Sequence, residues 1–518
     1  MALSRRSSSR IAAAVAGIAL LVGVLGASPA EARSPRPCTP GAPGAGDAYF
    51  PGYGNGGYDV RHYDLDISYD PATDRLDGRA SITARATQDL CSLNLDLVGL
   101  EVRDIEVGHR QATWARSGQE LTVTPSRPLR AGQRFEVDVT YGGVPVEFAL
   151  PGFDIRTGFM TTPDGVTVAG QPEVAAAWFP VNDHPIDKAS YSFDVTVPNA
   201  YEVVANGVLR NRHERRGWTS WRWEAREPMA SYLATIDIGF WDVDRDRIGR
   251  VSVYDAVDSA ITGGLRAEID SSLARQGEVL DLLSDAFGPY PFNTVGAIVD
   301  NQDDLFFALE TQTRPVYSKF FWLDSQGNPA NGDFVVVHEL AHQWFGDDVA
   351  LARWQDIWLN EGFATYAEWL WEEHEGRGTP QEIFQATYDA IPANDPFWAV
   401  EIGDPGVDLL FDNAVYVRGA MTLQALRQAV GDDAFWRIIR GWAATKSGGN
   451  ATTEEFIAFA EQVSGQQLDD LFTTWLFTPT KPSLTGQAAA ATALSAPAGA
   501  SAADWWPRAQ AQHERGRF

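Results

Sequence analysis

The chain has 518 residues, 44% of them hydrophobic and 21% charged, which is material for two or three packed domains. Its formal charge of −28 argues against a nucleic-acid or anionic-membrane partner, because phosphate binding needs clustered Lys and Arg. An acidic surface of this kind keeps a protein soluble and mildly attracts cationic substrates.

Residues 1–32 read as an export signal. Arg5, Arg6 and Arg10 form a basic head, residues 11–26 are apolar, and Ala30-Glu31-Ala32 offers a small-residue cleavage site. The apolar run is short of the ~20 residues that a spanning helix needs, so no stable membrane insertion is expected after cleavage. Retention as an anchor is the alternative. Secretion from a bacterium by the general route is the expectation. The chain's two cysteines, Cys38 and Cys91, both follow this segment. In an oxidising compartment they are expected to form a disulfide, with two buried thiols as the alternative.

Residues 33–56 are rich in Pro and Gly and are expected to be extended. From 57 to 243 the chain reads as an antiparallel β domain. Tyr63, Leu65, Ile67 and Tyr69 alternate with polar residues, as do Phe135, Val137 and Val139. A hairpin is expected around Arg215-Arg216-Gly217, with Trp218, Trp221 and Trp223 packing the sheet. Residues 244–482 read as a mainly helical second domain. Leu265, Ile269 and Leu273 step by four, and Leu280, Leu283 and Phe287 extend the pattern. Short strands are expected at 295–299 and 306–310. The stretch 412–477 looks helical, with a capping box at Thr452 to Glu455. The Ala-rich tail, 483–518, is expected to be disordered.

One stretch carries chemistry. His338-Glu339-Leu340-Ala341-His342 is an HExxH pattern in a chain with 8 histidines. On a helix, residues four apart share a face, so both imidazoles reach one point and can share a Zn2+ ion. A catalytic zinc takes three protein ligands and keeps one position open. Glu361 suits the third: eighteen residues separate it from His342, and it starts a second helical stripe. Glu339 beside the metal is expected to be the general base. Either Thr365 or Glu368, on the face of Glu361, is expected to hold a ligand imidazole by a hydrogen bond. Many tyrosines could serve as the second oxyanion donor, and spacing does not choose among them.

These residues resemble a known family. HELAHQWFG followed by WLNEGFATY is similar to the M1 aminopeptidases, the gluzincin group that includes aminopeptidase N. Trp178-Phe179-Pro180, Asn182-Asp183, Pro185 and the segments from Pro228 and Phe287 fit as well. The resemblance covers roughly residues 55 to 480. It implies a saddle-like β domain, a thermolysin-like catalytic domain, and removal of single residues from peptides with a free N-terminus. It places amine recognition at Glu310, in Phe307-Ala308-Leu309-Glu310-Thr311, where the family has Gly-Ala-Met-Glu-Asn. Ala308 and Leu309 then border the first substrate side chain, and Phe307 fills space that a glycine leaves open. Gln171 and Glu173 are similar to β-domain residues that also hold the amine. Tyr416 corresponds to the family's transition-state tyrosine. Larger members carry a further helical domain after the catalytic one, so a more open site is expected here. A zinc endopeptidase, or a binding protein on the same scaffold, are the alternatives, although every expected ligand is present.

Overall fold

The computed structural model describes residues 37–149, 155–484 and 505–507. The expected export signal and most of the expected tail lie outside them.

Period-two alternation builds the first half. In Tyr58–Asp70, Tyr63, Leu65, Ile67 and Tyr69 are buried while Asp64, Asp66 and Ser68 are exposed. A bulge between Val60 and His62 resets the phase, so that Val60 also faces inward. This strand is central in a seven-stranded sheet, ordered Val208–Arg215, Trp218–Met229, Ala189–Pro198, Tyr58–Asp70, Arg75–Ala86, Arg134–Gly143 and Glu101–Val107. The pairing is antiparallel apart from Tyr58–Asp70 with Ala189–Pro198, which run parallel. A parallel pair requires a long crossover, and the strands of two smaller sheets supply it. The hairpin forms as expected: Arg215 faces Trp218 across Arg216 (φ 51°) and Gly217 (φ 90°), both left-handed. Trp221 and Trp223 are buried in the sheet's packing.

A further five-stranded sheet starts the second half, ordered Trp241–Ile248, Val251–Asp258, Thr294–Asp300, Val316–Ser318 and Ala308–Leu309. Trp241–Ile248 belongs to it, so the expected boundary at 243/244 falls inside a strand. The preceding strand, Ile236–Gly239, belongs to the other five-stranded sheet, so the change of sheet comes at Phe240.

Nine α-helices accompany this sheet among the described residues: α1 (Gly263–Leu273), α2 (Gln276–Phe287), α3 (Asp333–His342), α4 (Trp358–His374), α5 (Pro380–Ala390), α6 (Asn413–Val430), α7 (Asp432–Lys446), α8 (Thr453–Ser464) and α9 (Asp469–Leu476). The capping box at Thr452 and Glu455 opens α8. α3 is buried nearly all round, consistent with its run Val335-Val336-Val337. Asp333 in its first turn suits the positive end of the helix dipole and pairs with Arg275 at 2.7 Å. No helix among the described residues is long and apolar enough to cross a membrane.

α4 and α6 touch backbone to backbone. A Cβ added to Gly419 would lie 2.7 Å from the Cα of Gly362, and one added to Gly362 would lie 2.9 Å from the Cα of Gly419. Only glycine permits this approach. Arg314 joins the two halves of the chain. Its fully buried guanidinium donates to the carbonyls of Ala205, Gly207 and Tyr254, and it lies over the rings of Trp223 (5.0 Å) and Tyr254 (4.9 Å).

Two expectations need correction. The Pro/Gly-rich segment is packed where it is described, with Asp47, Phe50 and Asn55 buried; the Cys38–Cys91 disulfide within it forms as expected. The tail is ordered at residues 505–507: Trp505 is buried edge-on to Trp369 at 5.4 Å, and Trp506 meets Phe397 at 5.6 Å. Averaged composition hid two tryptophans with apolar surface to bury.

Gly419→Ala is expected to cost about 1–3 kcal/mol, because the helices cannot separate without opening their packed interface. Its denaturant midpoint should fall; an unchanged midpoint would show that the contact is slack.

Candidate active site

α3 sets the first two groups. His338 and His342 lie one turn apart and meet edge-on, with ring centroids 4.8 Å apart. α4 delivers Glu361 from its first turn, and its Oε2 lies 3.4 Å from His338 Nε2 and 3.3 Å from His342 Nε2. Ligand atoms bound to a tetrahedral zinc stand about 3.3–3.5 Å apart, given bonds of about 2.0–2.2 Å. The far nitrogens are engaged as such a site needs. His338 Nδ1 meets Glu368 Oε1 at 2.7 Å, and His342 Nδ1 meets the carbonyl of Phe345 at 3.0 Å. Both acceptors fix the proton on Nδ1 and leave Nε2 with a free lone pair. Two imidazoles and a carboxylate form a donor set that suits Zn2+ and is poor for Mg2+ or Ca2+.

Glu368 therefore does what was expected of either residue, and Thr365 does not. Among the described residues the buried Thr365 hydroxyl has no hydrogen-bond partner. His338 Nδ1 is taken by Glu368 and His342 Nδ1 by the carbonyl of Phe345.

Glu339 and Glu310 complete a second cluster with His342, their nearest ligand atoms all within 4.8 Å of one another. Glu310 follows the edge strand Ala308–Leu309, and its Oε1 accepts from the Tyr232 hydroxyl at 2.8 Å. Gln343 locks this segment to the end of α3: its Nε2 donates to the Glu310 carbonyl (3.3 Å) and its Oε1 accepts from Thr313 N (2.7 Å). Among the described residues, neither Lys nor Arg forms an ion pair with Glu310, Glu339 or Glu361. Burial pushes Glu339 up to about 8, against the pull of the two imidazoles. Burial likewise raises Glu310, with His342 opposing and Glu361 adding to it. Burial would lower His342, but Glu361 and Glu310 carry it up to about 9. Three buried carboxylates thus face one space with too little positive charge, which a divalent cation and one ammonium would balance.

Tyr416, on α6, stacks on His338 with centroids 6.0 Å apart, so α6 brings it to the same centre. Beside it lies a small apolar pocket whose walls include Phe307, Ala308, Leu309 and Phe411, with Gln171 at its edge. Phe307 is buried and forms pocket wall, in the space foreseen for it. Gln171 and Glu173 are also buried, and each keeps one side-chain oxygen without a partner. Of the expected site residues, His338, Glu339, His342, Glu361 and Glu310 cluster together with Glu368 on His338, and Ala308, Leu309, Tyr416 and Gln171 line the neighbouring pocket. Sequence reading missed Tyr232, Gln343 and Phe411. Tyr232 and Gln343 sit inside recognised segments but have no spacing rule that reveals them. Phe411 lies in a loop with no pattern at all.

Comparison with known proteins follows this geometry. Residues 60–233 match the Peptidase M1 N-terminal domain, and residues 273–475 match the Peptidase family M1 domain. A solved structure described as an M1 zinc metallopeptidase from Deinococcus radiodurans is 30% identical, with a TM-score of 0.75, and covers 85% of this chain and 99% of its own. A mutant form of it is described as bound to a Tyr-ser-ala substrate. "Probable aminopeptidase 2" of Sulfurisphaera tokodaii is 27% identical over 58% of this chain and 40% of that protein. "Leucyl aminopeptidase" of Saccharolobus solfataricus is 24% identical over 82% of this chain and 54% of that protein. The chain thus spans about half the length, or less, of these two curated relatives.

Glu368→Ala is expected to weaken zinc binding about 10–100-fold, measured by competition with a chelator. Thr365→Val should leave that affinity unchanged. Equal loss in both variants would reverse the assignment of the imidazole partner.

Proposed function

The chain belongs to peptidase family M1, and from that premise we propose that it is an exported zinc aminopeptidase that removes single residues from the free N-termini of peptides. Export rests on residues 1–32 alone. The names of the relatives support zinc and exopeptidase action. One observation carries the choice of exopeptidase: Glu310, buried beside Glu339 and His342 with no basic partner, is an acceptor for the substrate's α-ammonium at one bond's reach from the metal site.

His338, His342 and Glu361 would hold the zinc. When bound, zinc acidifies a water and polarises a carbonyl oxygen. Glu339 sits between the two histidines in the chain and faces the same space, placed to take a proton from the attacking water and return it to the leaving amine. Tyr232 holds one oxygen of Glu310 at 2.8 Å and leaves the other for the ammonium. Tyr416, ring on ring with His338, is placed to donate to the oxygen that gains charge during attack. The pocket of Phe307, Leu309 and Phe411 receives the first side chain and favours apolar residues over acidic ones.

Glu339→Gln is expected to keep zinc and lose about 10²–10⁴-fold in kcat. Zinc-loaded mutant protein with undiminished turnover would remove Glu339 as the base. A peptide with an acetylated N-terminus should not be cut, whereas its free form should release one residue at a time. Internal cleavage of the blocked peptide would make this an endopeptidase.

A further inference from the structure

Strands Thr39–Pro40, Leu90–Asp96, Glu120–Thr124 and Thr113–Ser117 form a four-stranded sheet in that order. Leu93 and Leu95 pair with Val123 and Leu121, and these four fill one face with buried apolar side chains. The pleat sends their neighbours to the other face. There Asn94 lies opposite Thr122, and Asp96 lies directly opposite Glu120. Side chains paired in this way stand about 4.5–5.5 Å apart at Cβ, and two like charges so placed repel each other.

Both carboxyl groups are turned inward. Asp96 is fully buried, and both oxygens of Glu120 are buried although the residue as a whole is partly exposed. Asp96 Oδ2 accepts from Asn55 Nδ2 at 3.0 Å and from Asp183 N at 2.9 Å. Asp96 Oδ1, Glu120 Oε1 and Glu120 Oε2 have no hydrogen-bond partner among the described residues, and neither has Oδ1 of the buried Asn55. Burial raises Asp96 well above the usual carboxylate range; the Asp183 N–H opposes this, and the charges of Asp183, Glu120 and Glu173 add to it. Burial pushes Glu120 up to about 7. No basic side chain among the described residues offsets either acid.

A proton shared between the two acids would satisfy only two of the four unpartnered oxygens. A divalent cation satisfies more of them and matches the charge of two carboxylates. All the donors are oxygen, which suits Ca2+ and is poor for zinc. Neither acid belongs to a set of three carboxylates or imidazoles within 4.8 Å among the described residues, so neutral oxygens such as Asn55 Oδ1 would supply the remaining contacts. Such mixed sets are usual for Ca2+, which takes about 6–8 oxygens in flexible geometry, whereas Mg2+ demands an octahedron and keeps several waters.

We propose that Asp96, Glu120 and Asn55 form a structural Ca2+ site in the β-rich half, sharing no residue with the zinc centre. The ion would join three remote stretches: the Pro/Gly-rich segment at Asn55 and the two strands that carry the acids. Asp183, bonded to Asp96 through its N–H, accepts from Ser231 at 2.7 Å, and Ser231 adjoins Tyr232, the partner of Glu310. The site thereby braces the segment that holds Glu310. Partly exposed Glu120 gives it an opening to solvent.

The experiment uses the zinc-loaded full chain and its Glu120→Gln variant. Bound calcium is counted by equilibrium dialysis with radioactive Ca2+, and melting temperature is recorded with and without CaCl2 at constant ionic strength. The parent should bind one Ca2+ per chain, and its melting temperature should rise about 3–6 °C with calcium at a hundredfold excess over Kd. Mg2+ at the same concentration should give less than about half that rise. Glu120→Gln should bind calcium at least about tenfold more weakly, because affinity follows the charge of the ligand set. Without calcium it should melt at or above the calcium-free parent, because a buried charge is gone. A parent that neither binds calcium nor shifts would overturn the proposal, leaving the oxygens to water or a shared proton. Parental affinity in Glu120→Gln would place the ion elsewhere and overturn it as well. So would a calcium-free variant that melts below the calcium-free parent, since Glu120 would then be satisfied by the chain itself. An equal rise with Mg2+ would overturn the assignment to Ca2+.

Discussion

Two imidazole nitrogens, each within about 3.4 Å of one carboxylate oxygen, form the constraint on which the site depends. Helix geometry alone supplies the two imidazoles, because His338 and His342 are one turn apart. The carboxylate comes from another helix, and its place depends on how α4 lies against α3 and α6. Gly362 and Gly419 settle that, since their backbones touch and leave α4 one position along α6. Glu361 is next to the contact and Tyr416 is one turn from it. The same pair of glycines therefore bears on the placement of both Glu361 and Tyr416.

Charge is the second constraint. Glu310, Glu339 and Glu361 are buried together, and the free energy of that arrangement is prohibitive unless positive charge arrives. A metal ion meets part of the deficit and the substrate's own amine meets the rest. On the proposed reading, this imbalance is what would favour a free N-terminus over a blocked one.

Both the β-rich half and the helical half contribute residues to the cleft. Gln171 and Tyr232 come from the first; Glu310, Phe411 and Tyr416 come from the second. Their relative position needs a rigid joint. Arg314 provides one, with its charge spread over three carbonyls and two aromatic faces. The N-terminal segment provides another, through Asp47 at the start of α4 and Tyr49 at the Asp404 loop.

Local pattern was enough for part of this. The HExxH helix, the alternating strands and the turn at Arg216-Gly217 are encoded within a few residues, because side-chain direction repeats every two or 3.6 positions. Likeness to a family reached further, to Glu310 and Tyr416, but it did so by precedent and not by spacing. The Thr365 expectation failed because sharing a helix face does not fix reach or the direction of a distant ring. The boundary near residue 243 lies a few residues beyond the change of sheet, because the two strands follow one another with only Phe240 between them. Tyr232, Phe411 and the carbonyl of Phe345 had no readable signal, since the place of each is set by how separate elements pack. Contacts between remote segments arise from helix crossings and buried volume, and no short window of residues contains them.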